Sequence, residues 1–250
     1  MTYKDILPLV RKNDEKILLI LLGGVGGIQS GPNLLTELQQ AHRPHLNALA
    51  RKSACGLLLP VAPGVTPAAD ASLRRLLGWE EEQVPSWTSG LGLASCALSS
   101  SPEYLALCTQ AGINAIASPG EPSGLVERAC TEILEHDLII LHYAAPEKEG
   151  RAGGYYEKIK AIEDFDRLIP QLLESTPAVV AVCGDHSCPS ALGVITWHPV
   201  PLLIHALTAR YDMVQTYDEI ACTAGTLGTL RSAELLPLLL AHAGKLAPAR

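Results

Sequence analysis

Short apolar runs alternating with helical periodicities set the rhythm of this chain. Six runs, Ile17–Leu22, Leu57–Leu59, Ile113–Ala117, Leu138–His142, Ala178–Cys183 and Pro201–Ala206, read as strands buried on both faces, as in a parallel sheet. Helical patterns lie between them. Pro44 opens a helix through Ala50, and Ser72–Leu77 makes a short one stopped by Gly78. Leu125, Ala129 and Ile133 form one apolar stripe. Ile159, Ile162, Phe165, Leu168 and Leu172 form a longer one, which Pro170 should kink or shorten. Leu235–Leu246 supplies a closing helix. The alternation predicts an α/β fold: one domain over residues 1–250, with a doubly wound, mostly parallel sheet and helices on both faces. Sites in such sheets gather at the carboxyl ends of strands, here Gly23–Gly27, His142–Gly154 and Gly184–Ser187. The stretch 79–101 is the least patterned and reads as a surface loop.

Composition narrows the function classes. Aromatic residues make up 4% of the chain, which gives little for base stacking or a sugar-binding platform. A net charge of −7 and the lack of a Lys/Arg cluster argue against nucleic acid and anionic membranes as partners. Met1–Asp14 mixes charges and has no uninterrupted apolar core, unlike a signal peptide. No apolar run approaches the ~20 residues needed to span a bilayer. The seven cysteines sit mostly in apolar segments and read as reduced core residues of a cytoplasmic protein.

Candidate chemistry concentrates where strands end. The run Ala178–Cys183 opens into Gly184-Asp185-His186-Ser187, and hard Asp oxygens beside an imidazole suit Zn²⁺ or Mn²⁺. The bland alternative is a loop in which Asp185 caps a turn and His186 bonds to backbone. Cys183 and Cys188 flank the pair and offer a Cys/Asp/His set, although their spacing matches no standard structural zinc site. Gly23, Gly24 and Gly26 would let backbone N–H groups cradle a phosphate, or simply make a tight turn. A dinucleotide fingerprint is incomplete, because Gln29 stands where its third Gly should be. Glu147, Lys148, Glu149 and Arg151 form either a polar site or a solvated loop. No G-x-S-x-G elbow exists.

Taken together, these motifs resemble the archaeal-type cofactor-independent phosphoglycerate mutases of the alkaline phosphatase superfamily. The resemblance covers nearly the whole chain. Lys16–Gly27, Arg43–Ala50, Ala54–Pro67, Asp137–Gly150, Asp185–His186, Pro199–Pro201 and Asp218–Leu240 carry it, in that order and spacing. It implies phosphoryl transfer through a serine held by two divalent metals, which activate the nucleophile and neutralise the transferring group.

Matched position by position, the implied machinery is largely gone. The metal-binding Asp before the glycines is Gly23, or Leu22 if the alignment slips by one. The nucleophile position in Thr66-Pro67-Ala68-Ala69 is Ala69, and Ser72 lies three residues on in the next helix. The Asp-x-x-Gly-His motif reads Glu147 to Arg151; Glu147 can still ligate, whereas Arg151 carries a fixed charge that repels a cation. The late His falls at about Ile195, and the Asp that follows it has become His198. Asp185 and His186 survive. The family's cap domain is deleted rather than shrunk, the short loop 79–101 standing where it would be inserted, and the Arg of the following segment matches Leu105.

The resulting expectation is a catalytically degenerate, capless phosphoglycerate mutase-like protein. It has no catalytic residue and no expected cofactor, and it acts by binding a protein partner or small ligand. Residual metal candidates are Asp185, His186 and Glu147; ligand-binding candidates are Gly23, Gly24, Gly26 and Arg151. One alternative is an enzyme with a rewired one-metal site for Zn²⁺ or Mn²⁺, in which water replaces the serine and hydrolysis replaces transfer. Another is a non-catalytic subunit beside an intact relative, in a homo- or hetero-oligomer, with small or apolar surface around Ala68, Ala69 and Leu73 covered by the partner.

Overall fold

Every side chain of Ile17–Leu22 is buried, because this strand is central and covered on both faces. The computed structural model describes residues 6–68, 71–78, 91–118 and 120–247. The strands are β1 (Ile17–Leu22), β2 (Ala54–Leu59), β3 (Ser95–Ser99), β4 (Asn114–Ala117), β5 (Leu138–Tyr143), β6 (Val179–Cys183), β7 (Val200–Ala206) and β8 (Gly228–Arg231). The helices are α1 (Glu37–Gln40), α2 (Pro44–Ala50), α3 (Ala71–Leu76), α4 (Pro102–Gln110), α5 (Pro122–Glu132), α6 (Ala145–Arg151), α7 (Tyr155–Asp166), α8 (Ile169–Glu174) and α9 (Ser232–His242).

The sheet runs β4-β3-β5-β1-β6-β7-β2-β8, and β7 alone is antiparallel to its neighbours. Period-two alternation divides β1 between two cores. Ile17, Leu19 and Leu21 meet Leu73 of α3 and Leu235 and Leu239 of α9. Leu18, Ile20 and Leu22 meet Leu46 of α2, Leu125 of α5 and Phe165 of α7. The expected α/β architecture with an alkaline phosphatase-like core is therefore present, and the described residues carry no inserted cap.

Local chemistry explains several boundaries. Pro170 sits in the first turn of α8, so the long apolar stripe breaks into α7 and α8 rather than continuing as one helix. The first N–H groups of α2 are capped from a distance: Asp166 accepts from Leu46 N–H at 2.7 Å and from His45 N–H at 3.2 Å.

Two expectations need correction. The proposed loop 79–101 contains β3 at Ser95–Ser99; residues 79–90 lie outside the described residues. Ser-Cys-Ala-Leu-Ser brackets three apolar residues with serines, yet all five residues are buried, and Ser99 is matched by a hydrogen bond to His142. Glu147–Arg151 belong to helix α6, not to a loop. All seven cysteines are free thiols. Among the described residues no helix is long and apolar enough to cross a membrane.

Candidate metal centre

Strand register brings the chemistry together. Leu21 of β1 pairs with His142 of β5 on one side and with Cys183 of β6 on the other. Gly23, His142 and Asp185 therefore emerge side by side at the carboxyl edge, and α6, starting two residues after β5, swings Glu147 over them.

Glu147, Asp185 and His186 each offer a ligand atom within 4.8 Å of the others. His186 Nδ1 lies 3.1 Å from Asp185 Oδ1, and its Nε2 lies 3.5 Å from Glu147 Oε2. Neither ring nitrogen makes a well-directed hydrogen bond, although the side chain is buried. Asp185 is aimed by its surroundings: Oδ1 accepts the N–H of Gly24 at 3.1 Å and that of His186 at 2.8 Å. Gly24 has φ +62°, and a β-carbon there would stand 2.8 Å from Glu147 Cα, so both conformation and space demand glycine.

The electrostatics follow from this packing. Burial would raise the Asp185 carboxyl, but His186, His142 and the Gly24 N–H hold it well below the usual range. Burial works against a charged His186, yet Asp185 and Glu147 outweigh it and lift the imidazole to about 9. Burial likewise works against the Glu147 carboxylate, and His186 more than offsets it, leaving its pKa lowered. His142 is lowered chiefly by burial. A cation entering this cluster must therefore displace the His186 proton.

The set fits a divalent cation. Two carboxylates and an imidazole whose nitrogens lack directed partners are the hard and borderline donors that Zn²⁺ and Mn²⁺ take. Among the described residues one other metal-capable group converges, Cys96, Glu132 and His136, but Glu132 is engaged by Arg128 at 2.6 Å.

A buried network holds the loops beneath the cluster. Lys158 Nζ, on α7, donates to Gly26 O at 3.0 Å and Cys188 O at 2.8 Å, and lies 3.7 Å from Glu37 Oε2; both side chains are fully buried. Ser190 N–H donates to Glu37 Oε1 at 2.7 Å. Glu219 accepts from Gly27 N–H and from Thr36 Oγ1, each at 2.8 Å. Arg43 pairs with Asp218 at 2.9 Å.

The remaining expectations resolve unevenly. Gly23 and Gly24 are not a phosphate cradle, because their N–H groups are bonded to Tyr143 O and Asp185 Oδ1. Gly26 faces Ser187, whose Oγ would lie 2.0 Å from an added β-carbon. Arg151 bonds Glu147 at 2.8 Å and borders the site. Cys183 and Cys188 do not join the ligand group, and burial pushes both thiols up. His198 bonds Thr196 at 2.9 Å instead of facing the cluster. Ala69 lies outside the described residues. Leu73 is packed in the core, so it offers no exposed surface to a partner. Ser72 is buried within α3.

His142 opens the strand end 142–154 yet is not among the candidate residues, because it reads as the last member of an apolar run. Its ring stacks on Tyr104 with centroids 4.0 Å apart and planes within 5°, and its Nδ1 meets Ser99 Oγ at 2.8 Å. Its Nε2 lies 3.8 Å from Asp185 Oδ2. A histidine closing a strand beside two other strand ends was the available signal.

Comparison with known proteins bears on the fold and the family. A Deinococcus radiodurans protein named "probable 2,3-bisphosphoglycerate-independent phosphoglycerate mutase" is 38% identical over 165 residues, 65% of this chain and 40% of that protein. A Thermus thermophilus protein of the same name is 38% identical over 158 residues, 62% of this chain and 39% of that protein. The chain thus spans about two fifths of the length of the curated relatives it matches. Among solved structures, a Pyrococcus horikoshii protein superposes with TM-score 0.88 at 18% identity, covering 96% of this chain and 100% of that one. The cofactor-independent phosphoglycerate mutase of Thermoplasma acidophilum superposes with TM-score 0.74 at 16% identity, covering 92% and 100%. At such identities the superpositions speak for the fold. The model of the metalloenzyme superfamily matches residues 15–242, and the chain belongs to that superfamily.

Proposed function

We propose that this chain is a phosphoglycerate mutase-like protein that has given up mutase transfer, holds a single divalent cation and binds a small ligand beside it. The observation that carries the reading is the convergence of Glu147, Asp185 and His186 within 4.8 Å. Sequence matching alone left open whether these residues meet. Their convergence favours a one-cation site over a site with no metal.

The sequence itself speaks against mutase chemistry. Ala69 stands at the nucleophile position and has no atom to carry a phosphoryl group. Gly23, Arg151, Ile195 and His198 replace the other ligands that the resemblance implies. A bound divalent cation would supply a Lewis acid for a ligand oxygen. The chain's own groups do the rest: Gly24 N–H orients Asp185, Lys158 ties the glycine loop after β1 to the loop that carries Asp185 and His186, and Arg151 presents a positive charge at the rim.

Elemental mass spectrometry after dialysis against Zn²⁺ or Mn²⁺ tests this. The expected result is about one cation per chain, lost in Asp185→Ala, with no interconversion of 3- and 2-phosphoglycerate. Saturable mutase turnover that disappears in Asp185→Ala would defeat the reading, as would a chain that retains no cation.

A further inference from the structure

Beside the ligand cluster lies a cavity of about 300 Å³, bordered by Glu103, Tyr104, His142, Glu147, Arg151 and Asp185 among others. Two of the side chains that border it carry a buried polar atom with no hydrogen-bond partner: the Tyr104 hydroxyl and His142 Nε2. Their side chains are 6% and 3% exposed. Buried polar atoms are normally satisfied, so two orphans on side chains that border one cavity point to a ligand that satisfies them. Stacking holds the two rings parallel.

Both orphans can donate: the Tyr104 hydroxyl directly, and His142 Nε2 in the tautomer in which Ser99 Oγ, which accepts the Ser101 N–H at 3.0 Å, gives its own proton to Nδ1 at 2.8 Å. Arg151 adds a half-exposed guanidinium at the rim. Two neutral donors and a guanidinium select an oxyanion.

Charge decides which oxyanion. A divalent cation and Arg151 bring three positive charges against the carboxylates of Glu103, Glu147 and Asp185, so the loaded cavity is neutral overall. It takes one negative charge far more readily than two, which disfavours a dianionic phosphate. The volume sits at the low end of ligand clefts, which run about 300–1,000 Å³, and suits an acid of a few carbons.

We propose that the cavity is a binding site for a small monocarboxylate, whose oxygens accept from the Tyr104 hydroxyl and His142 Nε2 and pair with Arg151. This deepens the single-cation reading and rests on it.

Calorimetric titration of the Zn²⁺-loaded protein with glycolate, and separately with inorganic phosphate, tests the assignment. Glycolate should bind saturably and more tightly than phosphate. Tyr104→Phe, which keeps the ring stacking, and His142→Gln should each weaken glycolate about tenfold, with Zn²⁺ content unchanged. Phosphate binding more tightly than glycolate would overturn the proposal, and so would unchanged glycolate affinity in Tyr104→Phe. Zn²⁺ retained without any glycolate binding would overturn this inference alone. A wild-type chain that retains no Zn²⁺ would overturn the underlying reading and this inference with it.

Discussion

A β-carbon on Gly23 would stand 2.8 Å from His142 Nε2. The imidazole from β5 occupies the space that a side chain at the end of β1 would need. Gly23→Ala should therefore cost about 1–3 kcal/mol, as overpacking does. In a His142→Ala background the same substitution should cost less, because the colliding atom is gone. Urea denaturation of the four proteins gives the coupling, and equal costs in both backgrounds would show that the collision is relieved some other way.

Lys158 and Glu37 are both fully buried, and Lys158 binds the carbonyls of Gly26 and Cys188. Lys158→Met leaves the Glu37 carboxylate without its counter-charge and takes one donor each from the Gly26 and Cys188 carbonyls. A loss of about 3–5 kcal/mol is expected. Lys158→Met with Glu37→Gln should lose less than the two single variants combined. Additive losses would mean that the pair does not act as a unit.

Burial raises the Glu219 carboxyl above its ordinary value, while the Thr36 hydroxyl and the Gly27 N–H pull it partway back. A carboxyl whose folded pKa exceeds its unfolded one binds its proton more tightly in the native state. Its contribution to stability is therefore greatest in acid and declines as pH rises through the folded pKa. Glu219→Gln is neutral throughout. The stability of the wild type relative to this variant should fall from acid toward neutral pH, by about 1.4 kcal/mol per unit at most. A relative stability that rises with pH would contradict the burial account.

Arg151 Nε holds Glu147 Oε1 at 2.8 Å, in competition with a cation. Arg151→Met should raise Zn²⁺ affinity about two- to fivefold, in line with the worth of a half-exposed ion pair. The same variant should weaken glycolate. Competition against a chelating dye reads the first effect and calorimetry the second; weaker Zn²⁺ binding would show that Arg151 supports the cluster rather than competing for it.

Much of the fold was legible where burial is expressed as an apolar run. β1, β5 and β6 match their runs within a residue, because a strand covered on both faces has to be apolar throughout. β3 escaped because serines bracket its short apolar stretch, Ser99 being satisfied by His142, and β8 because it is an exposed edge strand. At the site, the Asp185–His186 pair was legible from its place after β6. The glycines misled: the Gly23 and Gly24 N–H groups donate to the Tyr143 carbonyl and the Asp185 carboxylate rather than standing free for a phosphate. Whether Glu147 would join the pair depended on the α6 turn, a matter of three-dimensional register that spacing does not encode. His142 was hidden by the run it closes.

The antiparallel strand β7 gives the segment that carries Asp185 and His186 an unusual durability. This segment leaves β6 at Cys183 and returns to the adjacent strand, where Cys183 pairs with Leu202. Both of its ends are thus clamped within the sheet interior, and Cys188 N–H and Thr196 N–H are bonded across it to Gly26 O and Ser187 O. Such a segment cannot fray from one side. Its buried, bonded amides, Cys188 and Thr196 among them, should exchange slowly with solvent, so the site should persist about as long as the middle of the sheet does.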